Sequence, residues 1–101
     1  MRRSMRKFVI FTALMAVPAA PALATGKVKC DVAEADMQPR AALEAKLVED
    51  GWKVRKSKVD GGCYEVYGTQ PTGEKVEAYF DPATFEPLYI SQRGKVLFEK
   101  E

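Results

Sequence analysis

Between Pro39 and Asp50 the apolar residues Leu43, Leu47 and Val48 recur at i, i+4 and i+5, with Ala42 and Ala45 beside them. That spacing predicts a three-turn helix with one narrow apolar stripe. Pro39 suits its first turn, where the missing N–H would have no partner anyway. Gly51 supplies the stop, because a helix commonly ends on a left-handed residue that glycine adopts at little cost. So short a helix does not stand alone in water, and its stripe must pack on something.

The pattern downstream changes period from helical to alternating. Trp52 to Val59 is β-rich, Asp60-Gly61-Gly62 is a tight-turn signal, and Cys63 to Thr69 follows as the partner strand. Trp52 and Val54 share a parity that Val59 does not, which predicts a bulge or a strong twist between Arg55 and Ser57. Gln70-Pro71-Thr72-Gly73 marks a second turn, and Lys75 to Phe80 alternates strictly until Asp81-Pro82 breaks it. Leu88 to Ser91 and Lys95 to Phe98 form a last hairpin around Gln92-Arg93-Gly94. The fold class expected is therefore α+β, one N-terminal helix packed on an antiparallel sheet of three to five strands.

Parity assigns the two faces of that sheet. With the helix over Val66, Val76, Ala78 and Phe80, Tyr64 turns inward, and Glu65, Tyr67, Glu77 and Tyr79 share the opposite side. Two tyrosines and two carboxylates on adjacent strands have the composition of a binding surface, rigid aromatic area with polar tips. They also suit an ordinary solvated face steadied by a cross-strand pair such as Glu65 with Lys75. The N-terminal arm and the last hairpin are both placed to cover this face.

Ahead of all this lies a different pattern. Arg2, Arg3, Arg6 and Lys7 precede an apolar run from Phe8 to Val17, and Ala22-Leu23-Ala24 ends the segment with small residues. Those are the three parts of a secretory signal, with cleavage expected after Ala24. A membrane span needs about 20 apolar residues, and Pro18 and Pro21 interrupt this run early. The division expected is a signal peptide over 1–24, an irregular arm over 25–38 and one domain over 39–101, exported to the periplasm. No cysteine follows the cleavage point, so a lipid tether is not implied.

Cleavage changes the charge argument. The full chain carries 16 Lys and Arg against 14 Asp and Glu; losing residues 1–24 removes four cations and no anion, leaving 12 against 14. The mature domain is thus net −2, and a nucleic-acid role loses the support that the full chain's excess of cations lent it. The cations left cluster at Lys53, Arg55, Lys56 and Lys58, where lysines protecting an edge strand explain them better than phosphate binding.

The chain has no histidine, which excludes imidazole bases, Ser-His and Cys-His pairs and His-ligated metals. Nucleotide fingerprints, the Gly-x-Ser-x-Gly turn and the calcium-loop spacing are absent as well, so no catalytic residues, metal or cofactor are expected. Glu65 and Glu77 form the one conceivable carboxylate pair, on a face too open to shift their pKa values. Cys30 and Cys63 are an even count in an exported chain, which favours a disulfide; a redox or metal-binding pair is the alternative, at a spacing far from Cys-x-x-Cys. A domain this small buries little more than about 60% of its unfolded surface, so a staple matters.

Three runs carry a resemblance: Gly51-Trp52-Lys53-Val54, Gly62-Cys63-Tyr64-Glu65-Val66-Tyr67 and Val76-Glu77-Ala78-Tyr79-Phe80-Asp81-Pro82. Over Pro39 to Thr84 the chain resembles small exported bacterial proteins of the PepSY family. The resemblance implies a helix packed on an antiparallel sheet, and a domain found in propeptides of secreted metallopeptidases and in stand-alone exported proteins. It also implies a binding role, inhibiting or regulating a peptidase, with no catalytic residues to carry over. An accessory subunit of an envelope redox complex, its last hairpin adding a strand to a partner's sheet, is the alternative. The chain departs from the family pattern after Asp81-Pro82. There Thr84 is followed by Phe85, Glu86 and Pro87 rather than glycine, so a different turn is expected.

Overall fold

The computed structural model describes residues 28–101; the expected signal peptide lies outside them. A short 3-10 turn over Glu34–Asp36 leads into helix α1 (Arg40–Glu49) and five strands: β1 (Lys53–Asp60), β2 (Cys63–Thr69), β3 (Lys75–Phe80), β4 (Pro87–Gln92) and β5 (Lys95–Glu99). The strands form one antiparallel sheet in chain order, β1-β2-β3-β4-β5. The α+β architecture expected from the pattern is therefore present, with all five strands in a single sheet.

Helix α1 ends as the sequence requires. Gly51 takes a φ of 101°, the Trp52 N–H donates to the Leu47 carbonyl at 2.9 Å, and the Gly51 N–H donates to the Val48 carbonyl at 3.0 Å. This paired return satisfies carbonyls the helix end would leave bare, and it swings Trp52 back onto the core. Leu43 and Leu47 are buried against Tyr64, Val66, Val76, Ala78, Phe80, Phe85 and Ile90, with Met37, Trp52 and Val54 packed around them. Val48 departs from the expected stripe: it is 57% exposed, because the helix docks on its Leu43–Leu47 line and Val48 lies a further 100° or so around the axis. Ser57 on β1 donates a hydrogen bond to the Glu44 carboxylate, tying helix to sheet.

Other irregularities are informative. The register of β1 against β2 shifts between Val54 and Lys56, a bulge at Arg55, where the broken parity placed it. After Asp81-Pro82 the chain turns on an aspartate cap, the Asp81 carboxylate accepting the Ala83 N–H at 2.7 Å and the Thr84 N–H at 3.3 Å. Phe85 then adopts a left-handed φ of 66° while its ring is buried in the core. A left-handed residue other than glycine costs about 1–2 kcal/mol, and burying a phenylalanine side chain returns about 1.5–3 kcal/mol. The position keeps the conformation that suits glycine and uses the side chain to fill the core.

The arm is fixed at two places. Cys30 is joined to Cys63 by a disulfide spanning 33 residues of chain, and the Cys30 N–H donates to the Gly61 carbonyl at 2.8 Å. Further on, Gln38 bonds the Asp81-Pro82 turn, its N–H to the Pro82 carbonyl at 2.9 Å and its side-chain amide to the Ala83 carbonyl at 2.6 Å. The β1–β2 turn that receives the arm needs both its glycines. Gly61 and Gly62 have φ of 61° and 83°, and a Cβ on Gly61 would sit 2.5 Å from the Val28 carbonyl oxygen.

Candidate functional site

The sheet's far face, away from α1, is a grid set by register. Glu65 stands opposite Tyr79 and Tyr67 opposite Glu77 across β2 and β3. From β1, Lys58 meets Glu65 and Lys56 meets Tyr67; from β4, Tyr89 meets Tyr79 and Ser91 meets Glu77. All four residues predicted to share this face do share it. They do not form one open surface, however, because the arm divides it.

Under the arm lies a sheltered half. Cys63, Tyr79 and Tyr89 are buried together, with Val28, Cys30 and Leu88 packed on them. The Tyr79 and Tyr89 rings meet edge to face at 6.1 Å, and the Tyr79 hydroxyl donates to Asp60 Oδ2 at 2.9 Å. Burial first, and then the bond to Asp60, push the Tyr79 phenol far above its ordinary value. Glu65 is only 2% exposed, and Lys58 Nζ stands 3.7 Å from its Oε1 as a charge partner. Lys75, the partner expected for Glu65, is instead opposite Thr69, because the β2–β3 turn closes directly on that pair. Tyr79 and Glu65 are thus interior residues, and Tyr67 and Glu77 are what the face leaves accessible.

The open half is centred on Tyr67. Three cations surround its ring, Lys56 Nζ at 4.8 Å from the centroid, Arg55 Cζ at 5.7 Å and Lys58 Nζ at 5.8 Å. The bulge at Arg55 makes this crowding, since it places two consecutive cations of β1 beside one residue of β2. Partial burial, then the Glu65 carboxylate, raise the Tyr67 phenol, while Lys58 is raised by the Tyr67 oxygen first and Glu65 second. Both groups therefore keep their protons through neutral pH. Next to the ring opens a groove of about 940 Å³, lined by Lys53, Arg55, Lys75, Glu77 and Arg93. Its floor includes Ser91, whose side chain is buried.

Sequence reasoning read the β1 cations as edge protection and so missed their convergence on Tyr67. The broken parity that announced the bulge was the available signal. Ser91, Arg93 and Asp60 gave no signal of their own, since each owes its place to pairing across strands. Chemically, this arrangement holds protonated phenols and fixed charges, and it separates Glu65 from Glu77, one interior and one open. No group of three or more His, Cys, Asp or Glu side chains is placed to hold a metal among the described residues.

The family model described as peptidase propeptide and YPEB domain matches residues 8–90. The chain belongs to the PepSY family. No curated protein and no solved structure matches it. PepSY domains are generally propeptide or regulatory modules rather than catalysts and are typically extracellular or periplasmic. The Cys30–Cys63 bond in this PepSY domain fits an exported protein. Among the described residues, no helix is long and apolar enough to cross a membrane.

Proposed function

We propose that this chain is a periplasmic, non-catalytic PepSY binding module that engages a protein partner, a peptidase or an envelope complex, through the open half of the far face. The signal over 1–24 directs export and is removed after Ala24, and the disulfide staples the arm once the chain is in an oxidising compartment. One observation carries the reading: a single sheet face is sealed by the arm over Tyr79 and Tyr89, yet left open at Tyr67 and Glu77 beside a charged groove. Rigid aromatic area with polar tips is what protein contact surfaces use. Engagement of a peptidase would inhibit or regulate it by occupying its surface, with no chemistry required from this chain.

A second reading rests on a separate observation. Val96, Leu97 and Phe98 on edge strand β5 are 40–45% exposed, an apolar edge suited to adding a strand to the sheet of an envelope partner. Photo-crosslinking separates the two. A crosslinker at position 67 is expected to capture one defined partner that Glu77→Ala weakens; capture from position 98 with none from 67 would move the assignment to β5.

A further inference from the structure

The charges of this domain are segregated. Lys53, Arg55, Lys56, Lys58, Lys75 and Arg93 stand around the groove or on Tyr67, with only Glu65 and Glu77 as carboxylates among them, a local balance of +4. The rest of residues 28–101 carries five cations against 12 carboxylates, a balance of −7. Of the six cations, Lys58 alone has a carboxylate within 4.0 Å among the described residues. Edge protection accounts for lysines along β1. It does not account for Lys75 on the interior strand β3, nor for Arg93 at the far hairpin, closing the opposite wall of the same groove.

We propose that the groove takes an extended acidic segment of a partner protein, its carboxylates on Lys53, Arg55, Lys75 and Arg93 and its backbone along Tyr67. The inference rests on the reading of the open half-face as the contact surface and adds the chemistry that would occupy it. The floor selects a peptide over a phosphate polymer. Glu77 accepts hydrogen bonds, and the Ser91 hydroxyl, 3% exposed, makes no side-chain hydrogen bond among the described residues. A peptide backbone supplies N–H donors for the first and carbonyl acceptors for the second, whereas a DNA backbone presents only acceptors. The −7 balance of the remaining surface also repels a long polyanion while leaving a short acidic segment its local site.

Fluorescence anisotropy on the oxidised protein without residues 1–24 tests this, with a short labelled peptide of alternating Glu and Ser as probe. Binding that weakens steeply with salt is expected, with none for the Gln-for-Glu peptide and none for labelled oligothymidylate. The double variant Arg55→Ala/Arg93→Ala should weaken binding about tenfold, equivalent to roughly 1.4 kcal/mol. Lys95→Ala/Lys100→Ala, with the same change in net charge away from the groove, should leave it unchanged, and circular dichroism checks that both variants fold. Equal binding of the Gln peptide, equal weakening by both double variants, or preferred binding of oligothymidylate would each overturn the proposal. A partner crosslinked from position 67 without any binding of the acidic probe would overturn the proposed chemistry and spare the contact surface, while failure of both would remove the surface as well.

Discussion

The two edges of the sheet meet water on different terms. Edge strand β1 carries four cations, bends at a bulge, bonds the helix through Ser57 and Glu44, and ends in the turn to which the arm is clamped. Edge strand β5 is exposed along its whole length, with Val96, Leu97 and Phe98 between Lys95 and Glu99, and its tie to the rest is its pairing with β4. One edge is charged and braced; the other is apolar and free. Charges and bulges discourage strand addition, so β1 is closed to a further strand. On β5 the bulge at Leu97 is the main deterrent, and apolar side chains on an unpaired ladder invite pairing.

The largest expected effect comes from removing the brace. Cys30→Ser/Cys63→Ser opens a loop whose closure is worth about 3–4 kcal/mol in the chain-entropy model. Urea unfolding should lose that much stability, and hydrogen exchange should rise at Val28–Cys30 and the β1–β2 turn while β5 stays as it was. Equal loosening of both edges would show that the staple acts on the domain as a whole.

A smaller effect sharpens the same contrast through pH. Tyr79 holds its proton above the ordinary range, so near pH 10, where an unfolded tyrosine titrates, the folded state binds more protons than the unfolded one. Stability from this group is full below that pH and is lost as pH rises toward the folded value. Lys58 is shifted in the same direction and adds to the trend. Tyr79→Phe should cost about 1 kcal/mol at neutral pH by unpairing the Asp60 bond, and it should flatten the decline in unfolding midpoint above about pH 10. An unchanged alkaline slope would assign the decline to other groups.

The smallest effect on stability belongs to the free edge. Phe98→Thr removes an exposed ring from a strand with good β propensity, and the unfolding free energy should move by no more than about 0.5 kcal/mol. Analytical ultracentrifugation at rising concentration is the more telling measurement. Association that the substitution abolishes marks β5 as the sticky edge, and association unaffected by it places self-contact elsewhere.

What the sequence made legible was local. Gly51 as a helix stop, the Asp60-Gly61-Gly62 turn, the alternation of β3 and the bulge near Arg55 each depend on a few neighbouring residues and physical rules of short range. The cysteine pairing was legible for a different reason, since two thiols in a chain expected to be exported leave one intramolecular partner each. The misses lie where tertiary docking decides. Val48 has the same apolar character as Leu47 and differs only in which way the helix was turned against the sheet. Glu65 and Tyr79 alternate with core residues as solvated side chains do, and nothing in their own spacing announces that Val28 and Cys30 will lie over that half of the face. Phe85 reads as an ordinary aromatic because its backbone angle is imposed by the Asp81 cap and the burial of its ring together. Of the candidate site, composition and parity located Tyr67 and Glu77, while the cations around them come together only once β1, β3 and the last hairpin are in register.

Strand order that equals chain order bears on how the molecule is made. Each strand pairs with the one that came just before it, so every step of sheet growth closes a hairpin, an event on the order of 1–10 μs for an isolated one. No strand must wait for a distant partner, and loop-closure entropy stays low throughout. The longer closures belong to the arm, between Cys30 and Cys63 across 33 residues and between Gln38 and Ala83 across 45. Every strand pairing that places Cys63 is local, so the β1–β2 turn can present that thiol without help from the disulfide, and the arm closes on a surface the strands build among themselves.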